Sequence, residues 1–401
     1  MKDTAISERA TTRGEPAGPT VGSVRKVRVW DAFVRLFHWG VVACVAGLAW
    51  TGYLSGSIAR HFDLHVWLGS ALSVLVVGRL VWGLVGSRYA RFAAFPISAA
   101  DVRRHLGNLL RGRAEHTIGH NPLGSLMVLA LLATLGGLVL TGLMALGGVF
   151  RMGPAKGFAT GAAGDIALVL HWWLGLFLLG LVALHIGGVV VERLLGAHDL
   201  VRAMIVGTKR VAAPAAAPSR GTPPARPAFA ALVVLAMIGG ALAPTVAVRR
   251  DALPGAPVPV AGSAYADACG DCHEAYHPSL LPAENWHRLM SGLEDHFGED
   301  ASLDPTTTAR VMSWLAAHDA WATETKPARH LGRRAGPDQL RMTDTDFWKT
   351  THAALGDEIF ARPPIYTRAN CSACHRDAAS GWFNPSAIRI PEPPAPNSAG
   401  N

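Results

Sequence analysis

Two short stretches carry the residues best suited to chemistry. Cys269, Cys272 and His273 form Cys-x-x-Cys-His, and Cys371, Cys374 and His375 repeat the pattern. Two thiols at this spacing can add to the vinyl groups of a haem while the adjacent imidazole reaches the iron from one face. Each stretch therefore reads as a covalent c-type haem attachment. A structural zinc site made of two Cys-x-x-Cys pairs is the competing reading. Tetrahedral thiolate ligation would leave both histidines idle, which favours two haem c. The fifth cysteine, Cys44, sits in an apolar run and reads as a small buried residue.

What occupies the other face of each iron decides whether it passes electrons or binds a small ligand. His277, His287, His296, His318, His330, His352, Met290, Met312 and Met342 are all available, and spacing does not choose among them. A second group of histidines, His38, His65, His171 and His185, falls inside apolar runs, where an ionisable residue is a functional suspect. His171 and His185 are 14 residues apart. On one helix that places them about 21 Å apart and nearly on one face, as two stacked haems require.

These residues must be positioned by the elements around them. Five apolar segments, near 36–54, 64–85, 123–146, 166–191 and 228–248, are each about long enough to cross a bilayer as a helix. Residues 1–24 have no apolar stretch, so a cleavable leader is not expected there. Lys and Arg number seven through Arg35, six in 86–122 and six in 192–227, against one in 55–63 and two in 147–165. The positive-inside rule then makes the first group cytoplasmic. An odd number of spans carries everything after Val248 to the periplasm, the compartment where c-type haem is attached. A Pro/Ala-rich stretch precedes the fifth span; Arg226 and the following apolar run also resemble an internal signal peptide, with cleavage the lesser alternative.

Charge divides with the hydropathy. Residues 1–250 hold 25 Lys and Arg against 10 Asp and Glu, and residues 251–401 hold 12 against 19. The excess of base lies in loops beside apolar spans, so the expected partner is a lipid bilayer and no nucleic acid. Topology then pairs the intramembrane histidines by depth: His65 with His171 near the periplasm, His38 with His185 near the cytoplasm. Arg79 follows His65 by 14 residues and Arg35 lies one turn before His38. Either guanidinium suits a haem propionate, and Arg35 reads equally as an interfacial anchor.

The segments VWDAFVRLFHW (29–39), GRLVWGLVG (78–86) and GHNPLG (119–124), with the helix of His171 and His185, resemble the prokaryotic b561-type cytochromes. That family includes the b-type membrane subunit of nickel–iron hydrogenases. The resemblance covers about 25–195 and implies four helices holding two haem b through histidines on helices one, two and four, exchanging electrons with quinone. His38, His65, His171 and His185 match those positions. CHEAYHPSLLPAENWHRLMSGLEDHFGEDASLD (272–304) and NCSACHRDAASGWF (370–383) resemble the small bacterial di-haem cytochromes c over about 264–390. That resemblance implies His296 and His352 as distal ligands and leaves His277 and His287 solvated or beside a propionate.

The expected fold class is an all-α membrane protein: a four-helix di-haem b bundle, a fifth transmembrane helix and a small, mainly α, loop-rich di-haem cytochrome c domain. Its parts are a disordered cytoplasmic arm (1–24), the transmembrane cytochrome b domain (25–200), a cytoplasmic linker (201–227), the fifth helix (228–248), a linker (249–263), the periplasmic c domain (264–390) and a disordered tail (391–401). In a bacterial inner membrane, such a chain passes electrons between quinone or quinol and a periplasmic electron carrier such as a c-type cytochrome. The alternatives are the membrane anchor of a hydrogenase or other periplasmic dehydrogenase, and a haem-based redox or ligand sensor. Hydrolytic and phosphoryl-transfer chemistry lack a supporting residue set.

Overall fold

The computed structural model describes residues 24–56, 58–113, 117–195, 200–212 and 225–392. The chain is mostly helical, and five helices are long and apolar enough to cross a membrane: Ala32–Leu54, Phe62–Val85, Pro122–Gly148, Gly161–Leu194 and Pro227–Ala247. The first comprises α1 (Ala32–Ala49) and a closing π turn (Trp50–Leu54); the others are α2, α4, α5 and α7. Between α2 and α4 lies a shorter helix, α3 (Ala99–Leu110). Large apolar side chains such as Leu84, Leu140, Leu232 and Val246 point outward from the long helices. An apolar exterior of this extent is suited to lipid.

The all-α expectation misses one feature. Residues 200–212, all but the first expected within a linker, fold into α6 (Leu200–Val206) and strand β2 (Thr208–Ala212). β2 pairs antiparallel with β1 (Val24–Arg28), which begins at the last residue of the expected disordered arm. The amides of Val29 and Trp30 both donate to Gly207 O. Gly207 has φ +83°, a conformation that a side chain would strain, and an added Cβ would meet Trp30 O at 2.6 Å. Residues 1–23, most of the Pro/Ala-rich stretch (213–224) and 393–401 lie outside the described residues.

Polar residues at the helix ends set how the long helices meet. Asp31 caps α1 by accepting from Val34 N at 2.8 Å, and its other oxygen accepts from Trp82 Nε1 and Ser87 Oγ at the end of α2. Asn121 caps α4 ahead of Pro122 and donates to Glu192 Oε1 near the end of α5. At the other end of these helices, Cβ atoms at Gly148 and Gly164 would each come within 3 Å of the opposite backbone. The missing side chains let α4 and α5 approach closely. α7 is fastened alongside: Arg226 N donates to Val85 O, and Lys156 Nζ donates to Thr245 O.

Beyond α7 the chain forms six short helices, α8 (Ala264–Cys269), α9 (Ala283–Met290), α10 (Pro305–Ala317), α11 (Lys326–His330), α12 (Asp346–His352) and α13 (Asp357–Ala361). Tyr265, Leu281, Trp286, Met290, Val311 and Leu315 form its main core. This region sits against the membrane-helix end opposite the β-ribbon. Asp165, near the start of α5, accepts from Arg329 Nη1 at 2.6 Å and lies 3.1 Å from His330 Nε2. Arg151 donates to Pro254 O, and Arg250 donates to Phe150 O. The Arg329 side chain is only 8% exposed. Asp165→Ala should therefore destabilise the docked arrangement by on the order of 3 kcal/mol, the cost of leaving a buried guanidinium unpaired. Limited proteolysis of the full chain checks this, as faster cleavage around 249–263; unchanged cleavage counts against it.

His277 departs from its solvated expectation. It is 1% exposed, with Nδ1 beside Ser279 Oγ at 2.8 Å and Nε2 beside Val258 O at 2.9 Å. Burial, its main perturbation, pulls its pKa down to about 4. Because this folded-state value lies below the unfolded one, the stabilisation is complete above about pH 6.5 and is lost as pH falls towards 4. By pH 5 the loss reaches about 2 kcal/mol. Denaturant titrations of wild type and His277→Asn at pH 7 and pH 5 should show a smaller pH effect in the variant.

Candidate haem sites

At the membrane-helix end facing the polar region, the His65 ring on α2 and the His171 ring on α5 have centroids 6.1 Å apart. An iron ligated on both faces by imidazole, with bonds of about 2 Å, holds two ring centroids roughly 6 Å apart. The hydrogen bonds aim the rings correctly. His171 Nδ1 faces Leu138 O at 3.1 Å, and a carbonyl only accepts, so the proton is on Nδ1 and the Nε2 lone pair is free. His65 Nδ1 lies 2.8 Å from Thr51 Oγ1, whose hydroxyl contacts Gly47 O. Glycines leave room beside both rings: a Cβ at Gly142 would come 3.2 Å from His171 Cε1, and one at Gly52 3.7 Å from His65 Cε1.

Near the β-ribbon end, His38 on α1 and His185 on α5 are close enough for their charges to interact. His38 Nδ1, Arg79 Nη1 and His120 Nδ1 are buried here without a hydrogen-bond partner. Orphaned buried polar atoms call for a polar group to complete them. Arg79 is 3% exposed, lies 4.9 Å from the Phe92 ring centroid and is an electrostatic neighbour of His120. Arg35 behaves differently: it donates to Ile205 O at 2.7 Å and to Asp31 O at 3.4 Å, which makes it a fastener of α1 to α6. His120 is the residue that sequence reasoning left out, although it stands in the quoted GHNPLG. Burial chiefly, then Arg79, Lys209 and His185, pull its pKa down to about 4.

In the polar region two of the candidate histidines stand opposite the motif histidines. His296 stacks near His273 with centroids 6.0 Å apart, and His352 lies 6.1 Å from His375. His273 Nδ1 donates to Glu274 O at 2.7 Å, and His352 Nδ1 donates to Trp348 O at 2.9 Å, so Nε2 is again the free nitrogen. Burial, then His352, pull the His375 pKa down to about 4, and burial, then His273 and Arg341, lower that of His296. Both shifts favour the neutral ring, the form that ligates iron. Cys269 and Cys272 line the cavity with the first pair, Cys371 and Cys374 with the second, none of them in a disulfide.

The other histidine candidates stand away from the motif rings: none of His277, His287, His318 and His330 lines the cavity around them. His318 Nδ1 donates to Trp314 O, His330 contacts Asp165, and His287 is exposed beside Ser291. Met290 belongs to the core of this region, and Met312 and Met342 pack against it. Met290 and Met342 also line the cavity, but among the described residues no motif ring faces another imidazole than His296 and His352 at the spacing of an iron. One continuous cavity of about 2010 Å³ reaches from His65 and His171 to both Cys-x-x-Cys-His motifs. Among the described residues, no cluster of three or more His, Cys, Asp or Glu suits a bare metal ion, the zinc alternative. Three facing imidazole pairs at iron-spanning distance, two with paired thiols, define a multi-haem membrane protein.

The comparisons with known proteins give the family. Residues 29–207 belong to the prokaryotic cytochrome b561 family and residues 265–383 to the dihaem cytochrome c family. The chain is 24% identical over 227 residues to a probable Ni/Fe-hydrogenase B-type cytochrome subunit of Cupriavidus necator, covering 49% of this chain and 93% of that protein. A probable Ni/Fe-hydrogenase 1 B-type cytochrome subunit of Escherichia coli K12 is 30% identical over 118 residues, 24% of this chain and 49% of its own length. Among solved structures, a diheme cytochrome c of Shewanella baltica is 32% identical over 32% of this chain and 91% of its own, with TM-score 0.26. One from Rhodobacter sphaeroides is 33% identical over 31% and 98%, with TM-score 0.27. The protein is accordingly a multi-pass membrane cytochrome that carries haem b and two covalent haem c and serves transmembrane electron transfer.

Proposed function

We propose that this cytochrome connects the quinone pool of a bacterial inner membrane to a periplasmic electron carrier such as a c-type cytochrome. The observation that carries this reading is the unbroken cavity joining the His65–His171 pair to both c motifs. Bound haem supplies one-electron iron chemistry; the protein's share is ligation, spacing and burial. In this reading the first four long helices form a bundle with two haem b. His38 and His185 hold the one near the cytoplasm, and His65 and His171 hold the one near the periplasm. The thiols of Cys269 and Cys272 and of Cys371 and Cys374 fix two haem c, ligated by His273 with His296 and by His375 with His352. Arg79, buried with an unpartnered Nη1, suits a propionate carboxylate. The basic β-ribbon end faces the cytoplasm, and the acidic c domain suits a carrier with a basic patch.

A hydrogenase-anchor role is the alternative suggested by the similarity to hydrogenase cytochrome subunits. The bond that Asp165 accepts from Arg329 of the c domain, with those joining Arg151 and Phe150 to Pro254 and Arg250 in the linker before it, counts against this role, because the docked domain covers the membrane face where an enzyme would dock. The test is an absorbance difference spectrum of the detergent-purified protein, reduced by a quinol analogue and then by dithionite. Quinol reduction of b and c bands together, with two b and two c haems per chain, is the expected outcome. Reduction by dithionite alone overturns outward flow from quinol, and any other haem ratio overturns the ligand set.

A further inference from the structure

We propose an order for the two c sites: the His352–His375 site exchanges electrons with the His65–His171 site, and the His273–His296 site meets the external partner. This rests on the conduit reading. Each transfer moves one electron; the ferrous donor becomes ferric and the ferric acceptor ferrous, with no bond made or broken.

The first observation is where the membrane helices meet the segment after the second motif. Phe383 lies 5.4 Å from the His375 ring, and the next residue, Asn384, donates to Met152 Sδ at 3.2 Å. Ser386 Oγ donates to Asp63 Oδ1 at 2.5 Å, and Asp63 stands two residues before His65. The Arg250 guanidinium, bonded to Phe150 O, lies 3.8 Å from the Trp382 ring centroid. The chain that attaches the second c haem is thus fastened to the helix that carries His65.

The second observation is the link from that site to the first. Tyr276 stacks on His273 at 5.3 Å, and its hydroxyl donates to Ala369 O, two residues before Cys371. Ser372 N donates to Glu274 Oε2 at 3.0 Å. The third is position: with the second site fastened to the membrane helices, the first stands one set of contacts further from them, where a transient partner meets it.

Electron paramagnetic resonance of the fully oxidised holoprotein tests the order without any electron donor. Neighbouring paramagnetic centres speed one another's relaxation. The ferric signal of each c site is identified by its shift in His296→Met or His352→Met, a ligand change that alters the iron electronically. Emptying the outer b site with His171→Ala should slow relaxation at the second c site several-fold and leave the first unchanged. Slowing at the first site, at both equally or at neither overturns the order. His65→Ala repeats the experiment from the facing ligand, in case one variant does not accumulate. Asn384→Ala with Ser386→Ala should weaken the same coupling while sparing both ligand sets. Since no quinol enters the measurement, a protein that quinol fails to reduce still reports the order, and the two readings fail separately.

Discussion

Replacing His171 by alanine removes one of two haem b and leaves both haem c attached. The b site has no covalent tether, so its occupancy depends on the two imidazoles that face each other at 6.1 Å. The His171 ring is held in place by Leu138 O and by Thr141 Oγ1 at 3.1 Å, and Gly142 leaves space beside it. Without the ring, His65 alone remains, and a non-covalent haem held through one face dissociates far more readily. Haemochrome analysis should then read one b to two c, and quinol should no longer reduce the c haems. Thr141→Val probes the support and not the ligand. It should keep full haem content and shift the midpoint potential of one b haem, because the hydrogen bond at Nδ1 tunes ligand basicity. A full complement of haem b in His171→Ala refutes the pairing.

His352→Ala gives the opposite kind of result: haem content is unchanged, and the iron gains an open face. The thioether bonds to Cys371 and Cys374 and the ligand His375 lie on the other side of the site, so attachment survives. What disappears is a ring positioned by three contacts: its Nδ1 bond to Trp348 O, its stacking on Trp348 at 4.4 Å and its approach to His375. The reduced variant should bind carbon monoxide at one c haem, with a high-spin band in the ferric spectrum, whereas the wild type binds none. His296→Ala should do the same at the other site. Carbon monoxide binding by the wild type would favour a ligand sensor, and its failure to bind His352→Ala would remove His352 from the ligand set.

Much of the site was legible because its chemistry is local in the chain. Cys-x-x-Cys-His brings two nucleophiles and a ligand within five consecutive residues, and no tertiary information is needed to read it. Apolar length marks the five spans in the same way, since each helix satisfies its own backbone within one segment. A 14-residue spacing on one continuous helix is likewise set by helical geometry. The distal ligands were of another kind. His296 follows a short turn and His352 ends α12, and many other histidines and methionines were equally placed in sequence. Resemblance pointed to these two, and the packing brings them opposite His273 and His375 while it leaves His277, His318 and His330 outside the cavity they share.

The misjudged residues share one cause. Residues 201–212 were read as linker because β2 is a short strand rich in polar residues, whose partner lies 180 or more positions earlier in the chain. Arg35 was weighed as a propionate partner because its spacing to His38 is visible and its bond to Ile205 O is not. His120 has no periodic signature; the rings of Trp30 and Phe95, both well before it in the chain, pack on it at 4.5 and 4.9 Å in the neighbourhood of Arg79.

The sequence by itself determined what is covalent or contained in one segment: the two haem c attachments, the five spans and the histidines within them. Only the tertiary structure decided which imidazole faces which, and which c motif rests against the membrane helices. Those outcomes depend on contacts between residues far apart in the chain. They follow from close-packed glycines, capped helix ends and buried ion pairs, none of which leaves a periodic trace in the sequence.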